Sequence, residues 1–217
     1  MIKKDEILEI DFSPEIESLS YFAHIPYTPM SAIAEFVDNS LQSYIYNEKR
    51  LHKNHSPSWK LRIGISITKT KIEIEDNAAG IDQNDCKRAF KAGAAPDKKH
   101  LSEFGMGMKT AALWFSKAFI VKSKALGEKV ERTVKFDLDE ALEDGKGKIK
   151  PKEVPAPSNQ HGTKVILNRL RREHTGSTKK KIKEYLSSMY RHFIKKNRIE
   201  IRVDNEKLEY QLPPILN

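Results

Sequence analysis

The spacing of apolar residues in the first half of the chain changes from helical period to strict alternation. Residues 31–50 repeat apolar side chains every three or four positions, which predicts one long helix. Residues 60–68 and 71–76 alternate apolar and polar side chains around a short turn, which predicts an antiparallel hairpin. A short strand at residues 8–12 and a helix at residues 13–22 are predicted before them.

The second half of the chain continues with short helices and strands. Helices are predicted at residues 82–93, 107–116 and 178–196, strands at residues 118–125, 129–138, 152–157 and 162–170, and a closing hairpin at residues 198–210. The polar run at residues 139–148 is expected to be a loop. Together these elements predict an α+β fold in which several helices pack on one face of a mixed, mostly antiparallel sheet.

The composition is that of a soluble globular domain. The 217 residues, 38% hydrophobic and 32% charged, suffice for one well-filled core. No stretch approaches the roughly 18 apolar residues of a membrane span, and residues 1–12 lack the apolar core of a secretory signal. Cys86 is the only cysteine, which excludes an intramolecular disulfide and is typical of a reducing compartment. We therefore expect a cytoplasmic protein.

The net charge of +9 is concentrated in the last quarter of the chain. Residues 164–198 contain twelve lysines and arginines against two glutamates. Such a run is either the solvated face of a helix or a surface that contacts the phosphate backbone of DNA. The second interpretation predicts binding that ignores base sequence and weakens steeply with added salt.

The long helix carries a polar stripe. Glu35, Asp38, Asn39 and Gln42 occupy positions i, i+3, i+4 and i+7, so they share one face of an otherwise largely apolar helix. An amide oxygen on Asn39 is a suitable ligand for magnesium shared with substrate phosphates, and a carboxylate at Glu35 is a suitable base for an attacking water. The alternative is a stripe that only faces solvent.

Two further segments suggest nucleotide chemistry. Asp76 ends a strand and Gly80 follows it, so a buried carboxylate there can accept a hydrogen bond from the amino group of adenine; the alternative is an ordinary turn. Gly105 and Gly107 directly precede a helix, where free backbone N–H groups attract an anion, and Lys109 adds a positive charge. Neither the Walker spacing nor the dinucleotide fingerprint is present.

In this order and spacing the motifs resemble those of the ATPase superfamily of gyrase, heat-shock chaperones, histidine kinases and MutL, known as GHKL, which has the Bergerat fold. EFVDNS resembles the N-box, DNAAGI the first glycine motif, FGMGMKTA the second and HGT the third. The resemblance covers residues 10–168. It implies binding of ATP or ADP with Mg²⁺, and slow ATP hydrolysis.

The resemblance also implies a role for each matching residue. Glu35 activates water, Asn39 ligates magnesium, and Asp76 holds the adenine with support from Gly80 and Thr163. The phosphates are held by the second glycine motif: Gly105, Met106, Gly107, Met108 and Lys109. Residues 92–104 correspond to the lid over the nucleotide, and Asp38 and Gln42 receive no firm role.

Within the superfamily, EFVDNS and FGMGMKTA look closest to the microrchidia (MORC) type, with MutL next. Ala78 stands where the first glycine motif usually has a glycine, and Gln42 where MutL relatives often have an acidic residue. A sensor histidine kinase fits less well, because its second glycine motif and its dimerisation helix are missing here.

The MORC and MutL resemblance further implies ATP-dependent homodimerisation and DNA-associated work. Residues 1–170 are interpreted as the ATP-binding domain. Residues 171–217, a basic helix and a hairpin, resemble the beginning of a transducer-like second domain, so the chain is expected to hydrolyse ATP poorly on its own. The alternatives are a nucleotide-gated binding module and a chaperone-like ATPase with little turnover.

Overall fold

The computed structural model of the protein describes residues 10–11, 19–56, 58–90, 107–144 and 148–210. A 3₁₀ helix spans Ser20–His24, and the α-helices are α1 (Pro29–Asn54), α2 (Gln83–Phe90), α3 (Gly107–Phe115), α4 (Leu138–Asp144), α5 (Gly176–Met189) and α6 (Arg191–Lys195). The strands are β1 (Ile10–Asp11), β2 (Leu61–Ile67), β3 (Lys71–Asp76), β4 (Ser116–Lys124), β5 (Val130–Asp137), β6 (Lys148–Ile149), β7 (Lys152–Pro155), β8 (Gly162–Leu170), β9 (Ile199–Val203) and β10 (Glu206–Lys207).

Eight strands form one sheet in the order β10-β9-β2-β3-β8-β4-β5-β7. Every neighbouring pair is antiparallel except β2 and β9, which run parallel. β1 and β6 pair separately as a two-stranded sheet. The predicted fold class, helices with a mixed and mostly antiparallel sheet, is therefore confirmed.

Helix α1 is the longest helix among the described residues. It begins with a capping box in which Ser31 N donates to Thr28 Oγ1 at 3.1 Å and Thr28 N donates to Ser31 Oγ at 3.0 Å, with Pro29 in the first turn. Its apolar side, including the fully buried Ile33 and Val37, belongs to the main core. The helix extends four residues beyond the predicted end, to Asn54, so the first three residues of the polar run at residues 52–58 are still helical.

The alternation predicted for the first hairpin is present in the structure. Along β2, Ile63, Ile65 and Ile67 are buried, while the residues between them are exposed. Ile65 lies opposite Ile74 of β3, so the same side of both strands enters the core. Burying each such side chain contributes about 1.5–3 kcal/mol, which fixes the register that places Asp76 at the end of β3.

The expected loop at residues 139–148 is partly wrong, because α4 occupies Leu138–Asp144. Asp139 N donates to Asp137 Oδ1 at 3.0 Å, and acidic residues fill the first turn, where they complement the helix dipole. A helix of fewer than two turns contains too few apolar positions to show a period, which is why the sequence pattern missed it.

The segment after residue 170 shares the core of the preceding elements. Ile182 and Leu186 of α5 are buried in the main cluster, and β9 extends the sheet beside β2. The helix predicted at residues 178–196 is divided at Tyr190 into α5 and α6. The domain boundary at residue 170 stays a prediction.

Among the described residues, no helix combines the length and the apolar character needed to cross a membrane.

Candidate functional site

Asp76 is held at the end of β3 by donors from three parts of the chain. Ser40 Oγ of α1 donates to Asp76 Oδ2 at 2.7 Å, while the backbone N–H groups of Ala78 and Thr163 donate to Oδ1 at 2.9 Å and 3.2 Å. Burial raises the pKa of the Asp76 carboxyl to about 6, and these three hydrogen bonds counteract part of the rise. The carboxylate is thus fixed in orientation, and it changes its protonation state at a pH of about 6.

Two glycines allow the backbone to close around Asp76. Gly80 has φ +71°, and a Cβ on it would overlap the carbonyl group of Lys124, 2.6 Å from its carbon. Gly162 has φ +137°, and a Cβ on it would lie 3.3 Å from the carbonyl carbon of Asp76. Both the conformation and the space therefore require glycine at these positions.

Ser123 of β4 connects the two glycine loops. Its buried hydroxyl oxygen accepts a hydrogen bond from Ile81 N at 2.8 Å and lies 3.1 Å from the hydroxyl of Thr163. The residue after Gly80 and the residue after Gly162 are thereby tied to one side chain. The first and third glycine motifs thus form one structural unit.

A histidine pair supports the same loop from the outer side. His161 Nδ1 donates to the carbonyl oxygen of Ala78 at 2.6 Å, so its other ring nitrogen faces His55 Nε2 at 2.5 Å. The His55 ring stacks on Trp59 with a centroid distance of 5.6 Å and an angle of 14°. Burial, together with the nearby His161, lowers the pKa of His55, which favours the neutral form of the His55 ring.

The polar stripe of α1 faces two different neighbours. Glu35 Oε1 accepts a hydrogen bond from the hydroxyl of Tyr27 at 3.1 Å. Asp38 Oδ1 accepts one from Tyr190 at 2.8 Å, and Tyr190 comes from the junction of α5 and α6. Asn39 Nδ2 donates to the backbone carbonyl of Glu35 at 2.7 Å, which directs the amide oxygen of Asn39 away from that carbonyl.

The carboxylate of Glu35 lies against the beginning of α3. A Cβ added to Gly107 would lie 3.1 Å from the carboxyl carbon of Glu35 and would overlap Oε2. The N-terminus of α3 presents backbone N–H groups and the positive end of the helix dipole at this point. Burial raises the pKa of Glu35, the hydrogen bond from Tyr27 lowers it, and the negative charge of Asp38 raises it further.

The second glycine motif is described only from Gly107 onward. Met108 packs against the hydrophobic core, and Lys109 is buried at 3% exposure, where desolvation lowers its pKa to about 8. The predicted phosphate ligands Gly105 and Met106 lie outside the described residues, as does the predicted lid at residues 92–104. Their assigned roles stay predictions.

The residues present suit the nucleotide and the metal that the sequence motifs imply. Asp76 offers a fixed acceptor at the sheet end, and the beginning of α3 suits a phosphate chain. Asn39 offers an amide oxygen, a hard ligand of the kind Mg²⁺ prefers, one helical turn from the carboxylate of Glu35. The donor set therefore fits ATP with magnesium.

Much of the basic segment is paired. Lys179 bonds Asp204 at 2.8 Å, Lys183 pairs with Glu206, and Arg198 bonds Glu48 at 2.7 Å. Lys181 and Lys196 are exposed. The positive surface is consequently smaller than the count of basic residues suggests.

A comparison with known proteins identifies the family of this chain. Residues 27–174 match the family described as histidine kinase-, DNA gyrase B-, and HSP90-like ATPase. The chain belongs to this ATPase family. A comparison of the ATPase domain with curated proteins yields no significant match. The matched range contains the N-box and all three glycine motifs, which confirms the resemblance to the GHKL superfamily and makes the chain an ATP-binding domain of that family.

A solved structure shows the same fold. The ATPase domain resembles the crystal structure of the ATPase region of Saccharomyces cerevisiae topoisomerase II with a TM-score of 0.59 and 14% sequence identity. The match covers 83% of this chain and 48% of the topoisomerase chain, so the ATPase domain spans about half the length of that structure. It confirms the Bergerat fold.

Three polar residues of the site were not assigned by the sequence. Ser40 lies within EFVDNS, so its motif was visible although its role was not. Ser123 lies in a strand whose alternation gives no sign of a polar contact, and Tyr27 precedes the predicted helix. Each acts on a residue at least eight positions away, and only the fold brings such partners together.

Proposed function

We propose that this domain binds ATP with magnesium and hydrolyses it slowly to ADP and phosphate. The observation that carries the proposal is the position of Glu35, whose carboxylate lies at the first residue of α3. A carboxylate placed beside a phosphate-binding helix terminus is in the right position to serve a water that attacks the terminal phosphate.

In this proposal the adenine lies at the end of β3. The fixed Asp76 carboxylate accepts a hydrogen bond from the adenine amino group, Gly80 allows the base to approach, and Thr163 supports the contact through its backbone and hydroxyl. Guanine has a carbonyl oxygen at the equivalent place, and two acceptors do not pair. ATP is therefore favoured over GTP.

The phosphates lie toward α3 and α1. The proposed phosphate ligands are the residues of the second glycine motif, Gly105 through Lys109, and the proposed magnesium ligand is the amide oxygen of Asn39. Magnesium bound there neutralises phosphate charge. Glu35 takes one proton from water, the water oxygen bonds to the terminal phosphorus, and the bond from phosphorus to the bridging oxygen breaks, giving ADP and phosphate.

The test compares wild type with Glu35→Gln, and uses Glu184→Ala on the exposed surface as a matched control. ATP and GTP are titrated with and without magnesium while thermal stability is followed, and single-turnover hydrolysis is measured with enzyme in excess. We expect ATP binding in all three proteins, at least about tenfold weaker GTP binding, and a single-turnover hydrolysis rate that falls to a small residual value in Glu35→Gln but not in the control.

Equal hydrolysis by Glu35→Gln would refute the role of this base. Binding without hydrolysis by wild type would instead favour the alternative function, a nucleotide-gated binding module or a chaperone-like ATPase with little turnover. Indifference to every nucleotide would refute the whole proposal.

We further propose that the domain is the ATPase module of a MORC- or MutL-like protein of the cytoplasm. The N-box EFVDNS and the lysine in FGMGMKTA support this subtype. The same proposal includes ATP-dependent homodimerisation, a transducer role for residues 171–217, and DNA contact through exposed basic residues such as Lys181 and Lys196.

Sedimentation with and without ATP tests the dimer. DNA binding that does not weaken with salt, or is absent, would exclude the contact with phosphates.

A further inference from the structure

The two oxygens of the Glu35 carboxylate have different surroundings. Oε1 accepts a hydrogen bond from the hydroxyl of Tyr27 at 3.1 Å, whereas Oε2 occupies the space beside Gly107 at the beginning of α3. A carboxylate held through one oxygen loses most of its freedom to rotate. Oε2 is then the oxygen that faces the place proposed for the phosphates.

Tyr27 is itself fixed by the far end of the same helix α3. Its ring contacts Trp114 edge to face, with a centroid distance of 6.4 Å and an angle of 88°. Trp114 is 3% exposed and its Nε1 donates to the backbone oxygen of Ile25 at 3.1 Å, while Tyr27 N donates to the same oxygen at 2.7 Å. The short segment before α1 is thus pinned to the last turn of α3.

We propose that Tyr27 is a positioning residue that holds the Glu35 carboxylate so that Oε2 acts on water, and that it links this base to α3 through Trp114. The inference rests on the proposed hydrolytic function. Helix α3 then serves the site twice, because its first turn faces the phosphates and its last turn sets the position of the base.

The phenol remains a donor throughout the working pH range. Burial and the negative charge and hydrogen bond of Glu35 raise the pKa of Tyr27 to about 12. Tyr27 therefore keeps its proton while Glu35 receives the proton of water, so the phenol orients the base without entering the proton balance.

The test is Tyr27→Phe in the 217-residue chain, which removes the hydroxyl and keeps the ring against Trp114. Tyr21→Phe is the matched control, because Tyr21 is 71% exposed in the neighbouring 3₁₀ helix. We expect the single-turnover rate of Tyr27→Phe to fall about tenfold or more, while the ATP dissociation constant stays within about twofold and Tyr21→Phe matches wild type.

A double-mutant comparison separates positioning from packing. If Tyr27 acts through Glu35, adding Tyr27→Phe to Glu35→Gln produces no further loss of rate, because the oriented group is already gone. An unchanged rate in Tyr27→Phe overturns the inference, and so does a joint loss of stability and ATP affinity, which is the signature of a packing role. If the wild-type protein does not hydrolyse ATP, the proposed hydrolytic function is refuted, and this outcome is distinguishable from a failure of the inference about Tyr27.

Discussion

Asp76 and Glu35 are both partly buried carboxylates, yet the protein fixes them in different ways. Asp76 receives three donors and is enclosed by strand ends whose glycines permit close backbone contact. Among the described residues, Glu35 receives one side-chain hydrogen bond, from Tyr27, and its carboxylate lies at the beginning of α3. The proposed adenine end is therefore built into the sheet, while the proposed hydrolytic end depends on how the helices pack.

This difference gives the two ends different sensitivities. A change at the adenine end alters backbone geometry that several strands share, so it affects both binding and stability. A change at the hydrolytic end moves one side chain, so it affects the rate while the fold and the affinity persist. The predictions below test this division, beginning with the largest expected effect.

Gly80→Ala should destabilise the protein by about 3 kcal/mol or more, because the methyl group meets the Lys124 carbonyl and the residue keeps φ +71°. Gly127→Ala is the control, since Gly127 has φ +86° and no atom of the described residues lies within 4 Å of its Cβ position. Gly127→Ala should lower the free energy of unfolding by only about 1–2 kcal/mol, the conformational cost of a side chain at positive φ. Chemical denaturation measures both, and equal losses would show that the close contact is not required.

Asp76→Ala should weaken ATP binding at least about 100-fold, equivalent to about 2.8 kcal/mol. It removes the adenine acceptor and leaves the donors of Ser40, Ala78 and Thr163 without their partner. Calorimetric titration measures the change. Glu75→Ala, on the exposed side of the same strand, should bind ATP as wild type does; a similar loss there would point to general damage of β3.

Gly107→Ala should lower the hydrolysis rate about tenfold while ADP affinity changes less than about threefold. Its methyl group would take the space of Glu35 Oε2 and displace the base, whereas the adenine end is untouched. Gly176→Ala is the control, because the part of the chain that the structure describes leaves open space around its Cβ position. If ADP affinity falls as much as the rate, the two ends are not separable.

ATP affinity should fall by up to about tenfold per pH unit below pH 6, since the pKa of Asp76 is raised to about 6 and the ionised carboxylate is the stronger acceptor for the adenine amino group. Protonation of Asp76 has the opposite effect on the stability of the fold. A pKa raised above the unfolded value favours the folded state at low pH, and that contribution is lost as the pH rises from about 4 to about 6.

Ser40→Ala tests whether Asp76 causes this pH dependence, because the Ser40 hydrogen bond lowers the pKa of Asp76. Its removal should move the acid limb of ATP binding to higher pH and weaken binding several-fold at neutral pH. Ser58→Ala, at an exposed position, should leave the profile unchanged. An unshifted profile in Ser40→Ala would assign the acid limb to another group.

Local patterns in the sequence were enough to predict most of the fold. The alternation of Ile63, Ile65 and Ile67 gives strand β2 and its buried side. The apolar spacing of residues 31–50 gives α1, and the motifs place Glu35 and Asn39 one turn apart on it. These features depend on neighbours within a few positions, which is the range over which periodicity acts.

Longer-range features required the tertiary structure. The parallel pairing of β9 with β2 joins segments more than 130 residues apart, and the hydrogen bond from Ser40 to Asp76 spans 36 residues. No local period encodes such contacts.

The sequence by itself determined the ATPase family, because motif order and spacing identify it, and the same motifs predict which residues carry the nucleotide chemistry. Only the tertiary structure decided how those residues are held: Asp76 by donors from three segments, and Glu35 by a tyrosine outside every motif. The physical reason is that the type of a side chain is local information, whereas its orientation depends on the neighbours that folding supplies.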